Sequence, residues 1–182
     1  MIAIIDYGMG NLRSVQKALE KIGAVAHITQ KPDEIRSAQK VILPGVGAMP
    51  PAMEKLEALG LVATIKAVVS EKKPFLGICL GYQILFETST EGGQTHGLGI
   101  LKGSVERFSN LKVPQIGWNK VNFTKQSPLF KKIPSGSYFY FVNSFYFDAP
   151  EENILGKTNY GISFASIIQK NNFYATQFHP EK

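Results

Sequence analysis

Short apolar runs alternate with helical patterns through the first half of the chain, and this alternation constrains the fold most. Residues 2–6, 25–29, 41–43 and 75–79 read as buried strands. Between the first two, Asn11 can cap a helix that carries Leu12, Val15, Ala18, Leu19 and Ile22 on one stripe, with Gly23 as its stop. Pro32 opens a second helix with Asp33 and Glu34 in its first turn. Further helices are expected from about Pro51, from about Leu61 and over residues 80–87. Strands joined through helices in this order must lie parallel, with helices on both faces of the sheet.

The period changes in the second half. Residues 100–108, 120–123, 138–147, 161–169 and 173–178 read as strands, and helical signal is confined to residues 128–132. The expectation is a single α/β domain over residues 1–182. Its central sheet is mixed and mostly parallel, and continues with antiparallel strands on one edge. Ligand sites in such sheets lie beyond the carboxyl ends of the strands. That directs attention to residues 6–11, to Pro44-Gly45-Val46-Gly47 and to Cys79.

Composition removes several classes. A lone cysteine cannot form an intramolecular disulfide or supply a thiolate-rich zinc site, so no metal is expected; it fits a reducing, cytoplasmic setting. No apolar run reaches the roughly 18–20 residues of a membrane span, and the first residues, MIAIIDYG, lack the basic segment of a signal peptide. The net charge is +6, yet basic residues cluster only as the pairs Lys72-Lys73 and Lys131-Lys132, too short for a nucleic-acid patch. Gly8-Met9-Gly10 lacks the third glycine of a dinucleotide fingerprint, and no cofactor is expected.

The chemistry concentrates at Gly77-Ile78-Cys79-Leu80-Gly81. A strand leads in and an apolar segment leads out. Glycines two residues either side of Cys79 permit a sharp turn that exposes the sulfur at the sheet edge, as in a nucleophile elbow. Amides at the start of the next turn favour the thiolate, and the Leu80 N–H is one donor for an oxyanion. A thiolate nucleophile needs a proton carrier, and the chain has three histidines. His27 follows a strand and reads as structural; His96 lies in a Gly-rich loop and reads as solvated. His179 ends a strand and is followed by Pro180-Glu181, so nucleophile, acid/base and orienter follow in the order Cys79, His179, Glu181.

These residues, 76–83 (LGICLGYQ) with Phe178-His179-Pro180-Glu181, resemble the class I (triad) glutamine amidotransferases. Asp6-Tyr7-Gly8-Met9-Gly10-Asn11-Leu12, Pro44-Gly45-Val46-Gly47, Gly117-Trp118-Asn119 and His179-Pro180-Glu181-Lys182 narrow the resemblance to the glutaminase subunits of imidazole glycerol phosphate synthases. The resemblance covers residues 2–182 and implies a flavodoxin-like α/β fold. It implies hydrolysis of L-glutamine to glutamate and ammonia through a Cys79 thioester, with His179 as acid/base held by Glu181. It also implies a second oxyanion donor at Val46, whose strand reorganises when a partner is active. Gly47, Gln83, Glu91 and Ser144 match glutamine-binding positions, and Asn11, Trp118 and Lys182 match interface or channel-mouth positions. The partner implied is a (β/α)₈-barrel cyclase that receives the ammonia and makes imidazole glycerol phosphate and aminoimidazole carboxamide ribotide. A basic chain suits an acidic docking face on it.

Departures from that pattern fall at Gln115 and Asn143, where the family carries histidine, and at Phe145, where it carries tyrosine. The triad motifs do not separate this synthase from another fed by the same chemistry, such as one that aminates a sugar. A cysteine peptidase on the same architecture is disfavoured by Gln83 and by the His179-Pro180-Glu181 order. A catalytically silent interaction subunit is disfavoured by the intact Cys79, His179 and Glu181.

Overall fold

A computed structural model describes residues 1–147 and 149–182. The first half follows the expected alternation: β1 (Ile2–Ile5), α1 (Leu12–Lys21), β2 (Ala26–Thr29), α2 (Pro32–Ser37), β3 (Lys40–Gly45), α3 (Met49–Ala58), α4 (Leu61–Ser70) and β4 (Phe75–Cys79). A single turn, α5 (Leu80–Gln83), follows β4 directly. The remainder is largely β: β5 (Phe86–Ser89), β6 (Thr95–His96), β7 (Leu101–Arg107), β8 (Gln115–Phe123), β9 (Ser137–Asn143), β10 (Phe145–Phe147), β11 (Ile154–Tyr160), β12 (Ile162–Lys170) and β13 (Phe173–Thr176).

Nine strands form the main sheet in the order β2-β1-β3-β4-β13-β12-β11-β8-β9. From β2 to β13 the pairing is parallel. From β13 to β9 it is antiparallel. The sheet is therefore mixed as expected, with its pairings divided evenly rather than mostly parallel. The parallel strands show the two-residue alternation of a sheet covered on both sides. Ala3, Ile5, Val41 and Leu43 pack on Ile35 of α2, Leu56 of α3 and Ile65 of α4. Ile4, Ile42 and Ile78 face the other way, onto Val15 of α1. The antiparallel half has its own aromatic core of Phe108, Phe141, Phe164 and Phe178.

Three further expectations needed revision. The helix over residues 80–87 is only one turn. Ile84, Leu85 and Phe86 are all fully buried, so this run has no polar face to give solvent and does not behave as an amphipathic helix. The chain instead turns into β5, which pairs with β7 and β6 in a second, four-stranded sheet. Strand β11 was not expected, because Gly156, Lys157 and Asn159 interrupt its apolar pattern. Gly156 lies where a Cβ would come within 3.0 Å of Val121, and the Thr158 hydroxyl donates to Ser166 Oγ at 2.9 Å, so packing and pairing replace the missing apolar side chains. The stretch 138–147 divides into β9 and β10 at Ser144, and only β10 joins the second sheet.

Smaller differences follow from local geometry. Asn11 caps α1 through its backbone carbonyl, which accepts from the Ser14 and Val15 amides, while its side chain accepts from the Ser14 hydroxyl. Ile22 falls just past the end of α1 and is exposed rather than part of the buried stripe.

Candidate active site

The elbow is built by glycine packing. Cys79 takes φ +54 and ψ −110, a left-handed conformation that a side chain adopts only under strain, of order 1–3 kcal/mol. That strain persists because its surroundings allow no alternative. A Cβ on Gly81 would sit 1.8 Å from the Leu43 carbonyl oxygen, and one on Gly77 would sit 2.7 Å from the Gly81 carbonyl oxygen. Backbone thus lies directly on backbone where α5 crosses β3, and the sulfur is left at the carboxyl ends of β3 and β4. The Leu80 N–H opens the turn and has no partner within it, as an oxyanion donor requires.

Cys79 lines a cleft of about 250 Å³ together with Val46, Gly47, Leu80, Gln83, Glu91 and Ser144. Every candidate glutamine-binding and oxyanion residue is therefore brought to one place. The volume lies below the roughly 300–1,000 Å³ of pockets that hold drug-sized ligands, so it suits a ligand the size of an amino acid. Gly47 has φ +102, the backbone freedom expected of this loop. Gly45 differs: it remains in β3, and the Tyr7 hydroxyl would be 2.3 Å from a Cβ there, so close approach rather than φ requires glycine. Residues 6–11 do not line this cleft, although Asn11 stands exposed at the carboxyl end of β1.

Glu91 holds one end of the cleft. Its Oε2 accepts from the Met49 amide at 2.7 Å, at the first turn of α3, which leaves Oε1 for a ligand. Helix α3 starts two residues before the expected Pro51. The Gln83 Nε2 donates to the Phe145 carbonyl at 3.3 Å and to Gln177 Oε1 at 2.9 Å.

His179 and Glu181 are buried beside the cysteine, with side chains 5% and 3% exposed. His179 Nδ1 lies 2.8 Å from Glu181 Oε1. Burial works to lower the imidazole pKa, but the Cys79 sulfur and the Glu181 carboxylate outweigh it and push it up to about 10. His179 Nε2 is buried with no hydrogen-bond partner among the described residues, poised for one. Strand β13 ends at Thr176, short of the expected 178. His179 is held instead by β9: its amide donates to the Tyr140 carbonyl at 2.9 Å. The other histidines stand elsewhere, both exposed. His27 faces Glu34 at 3.2 Å, and His96 lies in the short edge strand β6.

Sequence reasoning missed Gln177. It is fully buried, and its Nε2 donates to Cys79 Sγ at 3.8 Å. The available signal was its position two residues before His179 in an extended segment. Gln115 and Asn143 stand directly opposite each other on β8 and β9. Both Gln115 amide atoms and Asn143 Oδ1 are buried without partners among the described residues. Asn143 Nδ2 donates to the Phe145 carbonyl at 2.9 Å.

The outer face of β8–β9 carries three cross-strand pairs: Ile116 with Val142, Trp118 with Tyr140, and Lys120 with Tyr138. Trp118 is 60% exposed and meets Tyr140 edge to face, so it is not a core residue. Lys182 is exposed at the end of the triad segment. Among the described residues no group of His, Cys, Asp and Glu has the makings of a metal site, and no helix is long and apolar enough to cross a membrane.

The class I glutamine amidotransferase family profile matches residues 3–182. An imidazole glycerol phosphate synthase subunit HisH from Moorella thermoacetica is 54% identical over 183 residues, covering 100% of this chain and 87% of the relative. Its counterpart from Methanocaldococcus jannaschii is 52% identical over 183 residues, covering 100% and 92%. Among solved structures, one described as a glutamine amidotransferase superposes with a TM-score of 0.78 at 18% identity, covering 100% of this chain and 91% of that one. The PurLQS structure from Thermotoga maritima gives 0.76 at 18% identity, covering 99% and 87%; at that identity both likenesses concern the fold alone. The chain belongs to the class I glutamine amidotransferase family.

Proposed function

We propose that this chain is the glutaminase subunit of an imidazole glycerol phosphate synthase. The observation that carries the reading is a strained, cleft-lining cysteine beside a buried His179–Glu181 pair at 2.8 Å. The HisH relatives at 54% and 52% identity support its assignment to this synthase rather than to a sugar-aminating one.

The chemistry is acyl transfer. The proton of the Cys79–His179 pair rests on the imidazole, and the sulfur attacks the side-chain amide carbon of glutamine. A carbon–sulfur bond forms, and the carbonyl electrons move to oxygen. The N–H groups of Leu80 and, once its peptide turns inward, Val46 receive that oxyanion. The imidazolium protonates the amide nitrogen, ammonia leaves, and a thioester remains. His179 then takes a proton from water, whose oxygen attacks the thioester and releases glutamate and the thiol. Glu181 holds the imidazole in the required orientation throughout. Gln83, Glu91, Gly47 and Ser144 clamp the amino-acid end of the substrate, with the Glu91 carboxylate facing its ammonium group.

Ammonia passes to a barrel cyclase docked on the β8–β9 face. Trp118 and its neighbours supply the apolar contact, and Asn11 and Lys182 complete the rim. Tyr140 belongs to this face and holds the His179 backbone, so docking and catalysis share one strand. The reading includes a cytoplasmic location, consistent with a single free thiol. Acid quenching during turnover, followed by peptide mass spectrometry, tests it. A glutamyl adduct is expected on the peptide that contains Cys79. An adduct elsewhere, or none during active turnover, removes the thioester route.

A further inference from the structure

We propose that the Gln177 side chain is a hydrogen-bond donor to the Cys79 thiolate, held in that sense by Gln83 and the Phe145 carbonyl. The proposal rests on reading Cys79 as the nucleophile.

A glutamine amide has two ends of similar shape and opposite polarity. Turned one way, Gln177 would present oxygen to the sulfur and repel a thiolate. Turned the other way, it presents N–H and stabilises one. The choice is made two residues away. The Phe145 carbonyl can only accept, and it faces both Asn143 Nδ2 at 2.9 Å and Gln83 Nε2 at 3.3 Å. That contact fixes the sense of the Gln83 amide. The same Gln83 nitrogen then meets Gln177 at 2.9 Å, so the Gln177 atom facing it must be Oε1. Nε2 is left facing Sγ at 3.8 Å. The polarity of one backbone carbonyl is thus relayed through two amides to the nucleophile. Gln177 is fully buried, where such a relay is electrostatically stronger than in water.

The proton balance is simple. The proton of the Cys79–His179 pair rests on the imidazole, and Gln177 transfers none. Its N–H bonds to the sulfur while the charge resides there and loosens as the carbon–sulfur bond forms.

The test is the pH dependence of Cys79 alkylation by iodoacetamide in the full chain. Gln177→Met keeps the length and removes the donor. Its alkylation midpoint is expected to move up by about one pH unit, a tenfold weaker stabilisation of the thiolate. With glutamine, kcat should fall by a similar factor while KM changes little. Gln177→Glu still accepts from Gln83 but presents oxygen to the sulfur, and its midpoint should move further. Midpoints indistinguishable from the wild type in both folded variants would overturn the proposal.

If neither variant folds, the unmutated chain decides. The Gln177 side-chain amide resonances should shift with pH in step with the alkylation profile. That shift should vanish in Cys79→Ala. Resonances that ignore pH would overturn the proposal. Alkylation reads the sulfur directly, so these outcomes stand apart from the glutaminase reading. The latter fails if glutamine hydrolysis survives in Cys79→Ala.

Discussion

Replacing Gly81 with alanine should damage both the fold and the chemistry, by an amount the packing sets. A Cβ there would lie 1.8 Å from the Leu43 carbonyl oxygen and 2.8 Å from its carbon. Relief to 3.0 Å, the closest approach that real Cβ atoms show, requires a movement of about 1.2 Å. The obstacle is backbone in β3, paired on one side to β1 and on the other to β4, so it cannot swing aside as a side-chain tip would. Overpacking of this kind costs about 1–3 kcal/mol, and a rigid obstacle places the value near 3. For a chain of this size each kcal/mol lowers the midpoint by about 2–4 °C, so thermal unfolding should shift down by about 6–12 °C. Displacing the elbow by about 1 Å also misplaces the sulfur, which should lower glutamate release about 100-fold. Thermal melts and a glutamate-release assay on the same preparation check both numbers. A variant that melts with the wild type and turns over at its rate would refute the close contact of α5 with β3.

Three further outcomes follow. Glu181→Gln removes a charge-assisted hydrogen bond to His179; such bonds are worth about 1.5–3 kcal/mol, so kcat should fall about tenfold to a hundredfold, measured by steady-state glutamate release. His179 is held protonated up to about pH 10, above its ordinary value of 6.5. The stability it contributes is complete below pH 6.5 and is lost as pH rises through about 10; melting midpoints across that interval should show a slope that Glu181→Gln flattens. Trp118→Ala should leave the melting midpoint unchanged, because the ring is 60% exposed, yet weaken cyclase binding by about 2 kcal/mol, near 30-fold in Kd by calorimetry.

Much of the site was legible because its chemistry is local in sequence. Gly77-Ile78-Cys79-Leu80-Gly81 states the turn, and the turn forces the strained cysteine. His179-Pro180-Glu181 states a proton carrier with its orienter two residues away, and the pair forms at 2.8 Å. The parallel half of the sheet was legible for the same reason, since apolar runs and helix signals alternate without ambiguity.

What was not legible depends on pairing between distant segments. Residues 84–86 are all apolar, and periodicity cannot tell a buried strand from a buried helix there. Only the partner strand β7 decides it. Strand β11 lost its apolar signature to Gly156, whose missing Cβ is what Val121 and Ile167 pack against. Gln177 looked like an ordinary strand residue, because its meaning comes from Cys79, 98 positions earlier. Gln115 and Asn143 could be seen as departures from the family pattern. That they face each other, buried, across one register of β8 and β9 could not.

The most direct test of the account is glutamate release from glutamine by the wild-type chain and by Cys79→Ala. Each is assayed alone and with a barrel cyclase carrying its phosphoribosyl ligand. The account predicts activation of the wild type by tenfold or more in the liganded complex, at least ~1.4 kcal/mol of coupling. It also predicts no release from a Cys79→Ala chain that still binds the cyclase. Release that survives without the Cys79 thiol, or a wild-type rate indifferent to the liganded cyclase, would contradict it.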